Sequence, residues 1–146
     1  MTTIAATKTQ IACDRQATHG SGMIFTVGSK ITHIPAGNKF FEAGGYVGYA
    51  GALGECTEAI FWLLDPEGKP PRTRKSDFLV LTNDKKLFLG ESITTWYEIG
   101  DQYFSIGSGM TFAQAAMASG KTALEAVKLA SKFDPNTGRG FKSYDV

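Results

Sequence analysis

Cysteine and histidine are scarce. Cys13 and Cys56 are the two thiols, and His19 and His33 the two imidazoles, in 146 residues. Two cysteines cannot build the disulfide framework that stabilises small secreted domains, so both are expected as free, buried side chains in a reducing compartment. The histidines have no ligand-like spacing to each other or to the thiols, which argues against zinc. No metal or cofactor is expected. Charge of one sign is also missing: 15 Lys and Arg face 14 Asp and Glu, a net charge of +1. That balance offers nothing to attract nucleic acid or an anionic membrane. No apolar run reaches the ~18 residues that a spanning helix needs. The N-terminus carries no basic stretch followed by an apolar one, and a cytoplasmic location is expected.

Glycine is plentiful, with 17 residues, and it clusters where turns are predicted, which implies many short strands. The length fits a single domain over residues 1–146. Thr3–Ala6 and Gln10–Cys13 read as a hairpin, followed by a loop over Arg15–Thr18. Met23–Val27 and Lys30–Ile34 read as strands joined by the two-residue turn Gly28-Ser29. Lys39–Glu42 and Tyr46–Ala50 are further predicted strands, and Gly48 inside the second implies a close backbone approach. The period then changes. Leu53, Ala59, Ile60, Trp62, Leu63 and Leu64 predict one helix that ends at Asp65-Pro66. Strands follow at Phe78–Thr82, Leu87–Leu89, Thr94–Ile99 and Gln102–Ile106, the last two read as a pair. Two Ala-rich helices over 111–118 and 121–131 precede a final strand over 140–146. Strands, helix, strands, two helices and strand in that order predict an α+β fold, with sheets covered by helices.

Several motifs can be weighed on chemistry. Ser119-Gly120-Lys121-Thr122 resembles the end of a phosphate-binding loop, but Ala115 occupies the required glycine position and the segment lies between two helices. The basic run Lys69-Pro70-Pro71-Arg72-Thr73-Arg74-Lys75 reads either as a solvated connector or as a docking segment for an acidic partner. No Ser-His-Asp arrangement stands out. Thr2 is different. Removal of Met1 would place a hydroxyl and a free α-amine on one residue, giving a nucleophile its own base. An α-amine titrates near ~7.7–8.0, so a useful fraction is neutral at pH 7.

Thr2, Asp14 and Lys30 together resemble the N-terminal-nucleophile (threonine) peptidases of the proteasome β-type, HslV-like family. The resemblance runs through Thr2-Thr3-Ile4, Asp14-Arg15-Gln16-Ala17-Thr18, Lys30 sixteen residues after Asp14, Gly48-Tyr49-Ala50-Gly51, Ile106-Gly107-Ser108-Gly109 and Phe112–Ala116. Asp134 and Thr137-Gly138 are similar in spacing to that family's Asp and Ser-Gly pair, with threonine in place of serine. The resemblance implies a four-layer αββα sandwich. It implies Thr2 as nucleophile, Lys30 as a neighbouring ammonium and Asp14 as its partner. Gly51 would be an oxyanion donor, and Ser108, Asp134 and Thr137 polar support around the Thr2 amine. Ala17, Thr18, Tyr49 and Ala50 would meet an extended peptide, with the Tyr49 ring making the pocket shallow. The family's self-compartmentalising rings imply a homo-oligomer acting on peptide or unfolded protein, with an ATPase unfoldase as a candidate partner. Besides Thr137, two departures stand out. The stretch from Thr2 to Asp14 is short, and only one helix fits between Gly51 and the basic connector, which reduces that helix layer. Three functions therefore compete: a threonine endopeptidase, a catalytically silent ring or scaffold protein, and a non-peptide amidase.

Overall fold

The computed structural model describes residues 2–146. The fate of Met1 lies outside the described residues. The chain begins with β1 (Thr3–Thr7), β2 (Gln10–Asp14), β3 (Gln16–Thr18), β4 (Ile24–Thr26), β5 (Ile31–Ile34), β6 (Gly45–Gly51) and α1 (Leu53–Leu64). It continues with β7 (Ser76–Thr82), β8 (Leu87–Ser92), β9 (Thr95–Ile99), β10 (Tyr103–Gly107), α2 (Met110–Ala118), α3 (Ala123–Phe133) and β11 (Phe141–Asp145). The result is a mixed fold of helices and antiparallel sheets.

The two-residue period of β1 and β2 sorts their side chains onto opposite faces. Ile4, Ala6, Ile11 and Cys13 enter a core with Ile31, Leu79, Leu81, Leu87 and Ile99, which come from the second large sheet. Ala5 and Ala12 face the other way, against Ala113, Ala116, Ala126, Val127 and Ala130 of α2 and α3. Methyl-sized side chains on both sides of that contact let the helices lie close to the strands. The first sheet has the order β10-β1-β2-β11 and the second β5-β6-β7-β8-β9. On the outer face of the second, Val47, Tyr49, Phe78 and Val80 pack against Cys56, Ala59, Ile60 and Leu63 of α1. Gly48 meets the predicted close approach: a Cβ there would lie 2.7 Å from Cγ2 of Ile4.

Four local expectations are corrected. Arg15–Thr18 is not simply loop, because β3 pairs with β4 in a small two-stranded sheet. Arg15 closes its base, with Val27 N–H donating to the Arg15 carbonyl at 2.8 Å and Arg15 Nε to the Val27 carbonyl at 2.8 Å. Second, β4 and β5 are not partners across Gly28-Ser29, since β5 pairs with β6. The Ser29 hydroxyl instead bonds both the N–H and the carbonyl of Ile31, each at 3.1 Å, and turns the chain from one sheet to the other. Third, Lys39–Glu42 forms no strand. Asn38 Oδ1 accepts the N–H groups of Phe40 and Phe41, and Asn38 Nδ2 donates to the Leu63 carbonyl at 2.7 Å. That turn presents Phe41 to Phe88 and Trp96, with ring centroids 5.2 and 4.9 Å away. Fourth, β9 and β10 are not a pair: β9 joins β8, and β10 joins β1 in the other sheet.

The helices follow their sequence signals. α3 starts at Thr122, whose hydroxyl accepts the Glu125 N–H while Glu125 reaches back to the Thr122 N–H, a reciprocal cap. That use of Thr122 agrees with rejecting a phosphate loop. One helix lies between β6 and β7, and residues 65–75 hold no other. Among the described residues no helix is long and apolar enough to cross a membrane.

Candidate active site

Asp14, at the end of β2, is fully buried and gathers the site. Its Oδ1 accepts the Thr3 N–H at 3.1 Å, the Lys30 ammonium at 2.9 Å and the Thr2 hydroxyl. Its Oδ2 accepts the N–H groups of Gln16 at 3.2 Å and Gly138 at 3.0 Å. One carboxylate therefore ties together the chain start, the approach to β5 and the loop after α3. Lys30 also donates to Thr2 Oγ1, so the hydroxyl sits between a cation and a carboxylate. Burial pushes the Lys30 ammonium below its ordinary pKa, and the charge and hydrogen bond of Asp14 oppose that shift.

A second cluster supports the same strand. The Ser108 and Thr137 hydroxyls both donate to Asp134 Oδ2, at 2.6 Å each. Thr137 spends its proton on the carboxylate, so it accepts from Thr3 Oγ1 at 2.7 Å. Ser108 Oγ also lies 3.4 Å from the Thr2 carbonyl. Burial alone would raise the Asp134 pKa. The bonds from Ser108, Thr137 and the Asn136 N–H outweigh it and hold the carboxyl below its usual range. Gly107 belongs to this arrangement for a steric reason. Its φ is +95°, and a Cβ would lie 2.0 Å from the Thr2 carbonyl oxygen.

Thr2 and Lys30 open onto a cavity of about 390 Å³. Ala17, Thr18 and Gln16 form one side. Tyr49, Gly51, Ala52, Leu53 and Lys75 form the rest. Gly51 has φ +139°, and a Cβ there would lie 2.1 Å from the Lys75 carbonyl oxygen, so this corner of the cavity admits glycine alone. Burial pushes the Tyr49 phenol up to about 12. Ser108, Asp134 and Thr137 stand behind Thr2 rather than on the cavity wall. The Ala50 side chain points away, into the core between the sheets, so only its backbone is available to a ligand. Among the described residues no cluster of three His, Cys, Asp or Glu could hold a metal.

The structure also brings in groups that the sequence reading passed over: Thr3, the Gln16 and Gly138 N–H groups on Asp14, and Lys75 on the cavity rim. Thr3 carried a usable signal, because β1 alternates and its side chain had to fall opposite that of Thr2.

Comparison with solved structures bears on this geometry. BPH of Thiobacillus denitrificans in complex with epoxomicin is 18% identical, with a TM-score of 0.69 over 99% of this chain and 97% of that one. HslV of Trypanosoma brucei is 18% identical, with a TM-score of 0.70 over 98% of each chain. The fold is that of the HslV-like, proteasome β-type proteins. Anbu of Pseudomonas aeruginosa, solved as a helical assembly, shares this HslV-like fold at 12% identity, with a TM-score of 0.74 over 99% of this chain and 80% of that one. No family model and no curated protein matches the sequence.

Proposed function

We propose that this chain is a threonine-type endopeptidase whose nucleophile is Thr2, exposed as the first residue by removal of Met1. One observation carries the reading: the Thr2 hydroxyl lies between the Lys30 ammonium and the Asp14 carboxylate on the wall of a mainly apolar cavity. In this reading Thr2 Oγ1 attacks the scissile carbonyl and its proton passes to the freed Thr2 amine. The Lys30 ammonium favours the alkoxide-like form of Thr2 and keeps the adjacent amine neutral, while Asp14 keeps Lys30 charged and oriented. The Gly51 N–H stabilises the tetrahedral oxyanion. The C–N bond then breaks, the leaving amine takes the proton, and water hydrolyses the acyl-threonine. Ser108, Asp134 and Thr137 hold the Thr2 backbone in place. Ala17, Thr18, Tyr49 and the Ala50 backbone receive the peptide in extended form.

The stacking of the three core clusters supports a four-layer αββα sandwich in a single domain, with α1 alone in one helix layer. The assembly reading is a self-compartmentalising homo-oligomer in the cytoplasm, acting on peptides or unfolded protein, with an ATPase unfoldase as candidate partner. The test joins intact-mass analysis of the N-terminus to hydrolysis of fluorogenic peptides. A chain that starts at Thr2 should cleave, and Thr2→Ala should abolish cleavage while the fold survives. Full activity in Thr2→Ala would sink the mechanism.

A second reading, a catalytically silent ring or scaffold protein, draws on the lone helix between β6 and β7 and on the Anbu neighbour solved as a helical assembly. It prevails if a chain starting at Thr2 assembles but cleaves nothing.

A further inference from the structure

The cavity beside Thr2 carries more positive charge than its surroundings neutralise. Among the described residues its titratable lining groups are Lys30, Tyr49 and Lys75, and no carboxylate lines it. Lys30 is committed to Asp14 at 2.9 Å in a buried pair. Tyr49 is a neutral, protonated phenol at ordinary pH. Lys75 is exposed and makes no ion pair among the described residues.

The backbone that carries Lys75 is pinned. Glu55, in the first turn of α1, accepts the Arg74 N–H at 2.8 Å through Oε1. Through Oε2 it accepts the Lys75 N–H at 3.3 Å and the Ser76 hydroxyl at 2.5 Å. The Cys56 thiol donates in turn to Ser76 Oγ at 3.2 Å. Glu55 is thus spent on the chain rather than on the Lys75 ammonium. On the other side, Ser76 is the register partner of Gly51, whose missing Cβ lets the Lys75 carbonyl close against the cavity rim. The fixed backbone sets a flexible four-carbon stem on the cavity rim, from which the ammonium can reach the mouth.

We infer that this cavity receives an acidic side chain of the peptide, glutamate above all, and that Lys75 is the residue that selects it. The inference rests on the peptidase reading above and names the substrate class of that site. Ala17, Ala52 and Leu53 suit the methylene stem of glutamate, and the Tyr49 phenol is a donor for its head. A lysine side chain would meet the Lys75 ammonium and no carboxylate on the lining. The ion pair would be partly solvated, so the discrimination is modest, about threefold to tenfold.

The experiment uses the full chain with Thr2 at its start and three fluorogenic peptides that differ only in the residue before the scissile bond: Glu, Gln or Lys. The expected order in kcat/KM is Glu, then Gln, then Lys. The Glu-to-Gln ratio of about three to ten should shrink toward one as ionic strength rises from ~0.05 to ~0.5 M, because screening reaches into the open rim. Lys75→Met should bring the ratio to about one, and Lys75→Glu should invert the order between Glu and Lys. Thr2-dependent cleavage with equal rates on all three peptides overturns this inference and leaves the peptidase standing. So does a glutamate preference that survives Lys75→Met. Failure to cleave any of the peptides overturns both.

Discussion

Asp14→Asn isolates the central electrostatic feature of the site. The native carboxylate is fully buried and accepts from five donors, three on Oδ1 and two on Oδ2. An amide has one accepting end. If its oxygen stays toward Lys30, the NH2 group confronts the Gln16 and Gly138 N–H groups. If it flips, the NH2 group confronts the ammonium and the Thr3 N–H, which is worse. In the better case the buried Gln16 N–H and the half-buried Gly138 N–H lose their partner, at ~1–3 kcal/mol each. Lys30 also keeps its burial cost without an anion to offset it. The two lost bonds alone come to about 4 kcal/mol, to which Lys30 adds, a large part of the ~5–15 kcal/mol that holds a domain folded. For a chain of this size the melting midpoint should fall by roughly 10–20 °C. Urea and thermal unfolding followed by circular dichroism measure it, with the urea slope unchanged. Asp145→Asn is the control, since Asp145 is exposed and accepts from Gln10 Nε2 alone at 3.0 Å; its cost should stay within ~0.5 kcal/mol. An Asp14→Asn protein within ~1 kcal/mol of wild type refutes the reasoning, because buried donors then need no acceptor.

Lys30→Ala should lower peptide hydrolysis by ~10²-fold or more, since a preorganised charge in a buried site is worth that much, and Lys30→Arg should not restore it because a planar fork cannot replace a compact ammonium. The fold should suffer less than in Asp14→Asn, as Asp14 keeps its other four donors; a wild-type rate would reduce Lys30 to a structural residue. Burial pushes the Cys56 thiol from 9.0 up to about 11, so the folded chain keeps a proton that the unfolded chain releases. That stability is complete below pH 9 and is lost as pH rises toward 11, by ~2 kcal/mol; urea midpoints against pH measure it, and an identical decline in Cys56→Ser would exclude the thiol as its cause. Light scattering should find a homo-oligomer, in keeping with the exposed, stacked Phe112 and Phe133 on α2 and α3; a monomer at micromolar concentration that still cleaves peptides would remove the compartment.

The parts of the fold that read well from sequence are those in which side-chain period and burial agree. The predicted hairpin of Thr3–Ala6 and Gln10–Cys13 is the pair β1 and β2, and the helix predicted over 121–131 is α3, which buries Ala123, Ala126, Val127 and Ala130. Strand partners read poorly, because alternation reports which face is buried and not which neighbour donates the hydrogen bonds. Thr94–Ile99 and Gln102–Ile106 have the look of a hairpin around Gly100-Asp101, yet the connection passes from one sheet to the other. Lys39–Glu42 failed for another reason. Its aromatic content resembles a strand, but one side chain, Asn38, satisfies the local N–H groups and fixes a turn instead.

The candidate site was legible through resemblance and illegible through its connections. Thr2, Asp14 and Lys30 could be singled out together only by resemblance, since a lone Asp at a strand end is usually a turn residue. What sequence could not supply is why they need each other. Asp14 makes two of its bonds to backbone N–H groups of Gln16 and Gly138, one nearby and the other 124 residues away, and backbone donors leave no mark in composition. The same holds for Lys75. In sequence it is the last residue of a basic, proline-containing run that reads either as a solvated connector or as a docking segment for an acidic partner. Glu55 changes that by fastening Arg74, Lys75 and Ser76 to the start of α1. A carboxylate that lies 20 residues upstream of Lys75 and acts on its main chain turns a connector into one wall of the cavity. Charge along the chain therefore predicts too little here, because the cation that matters is chosen by where the backbone is tied and not by the density of the run it belongs to.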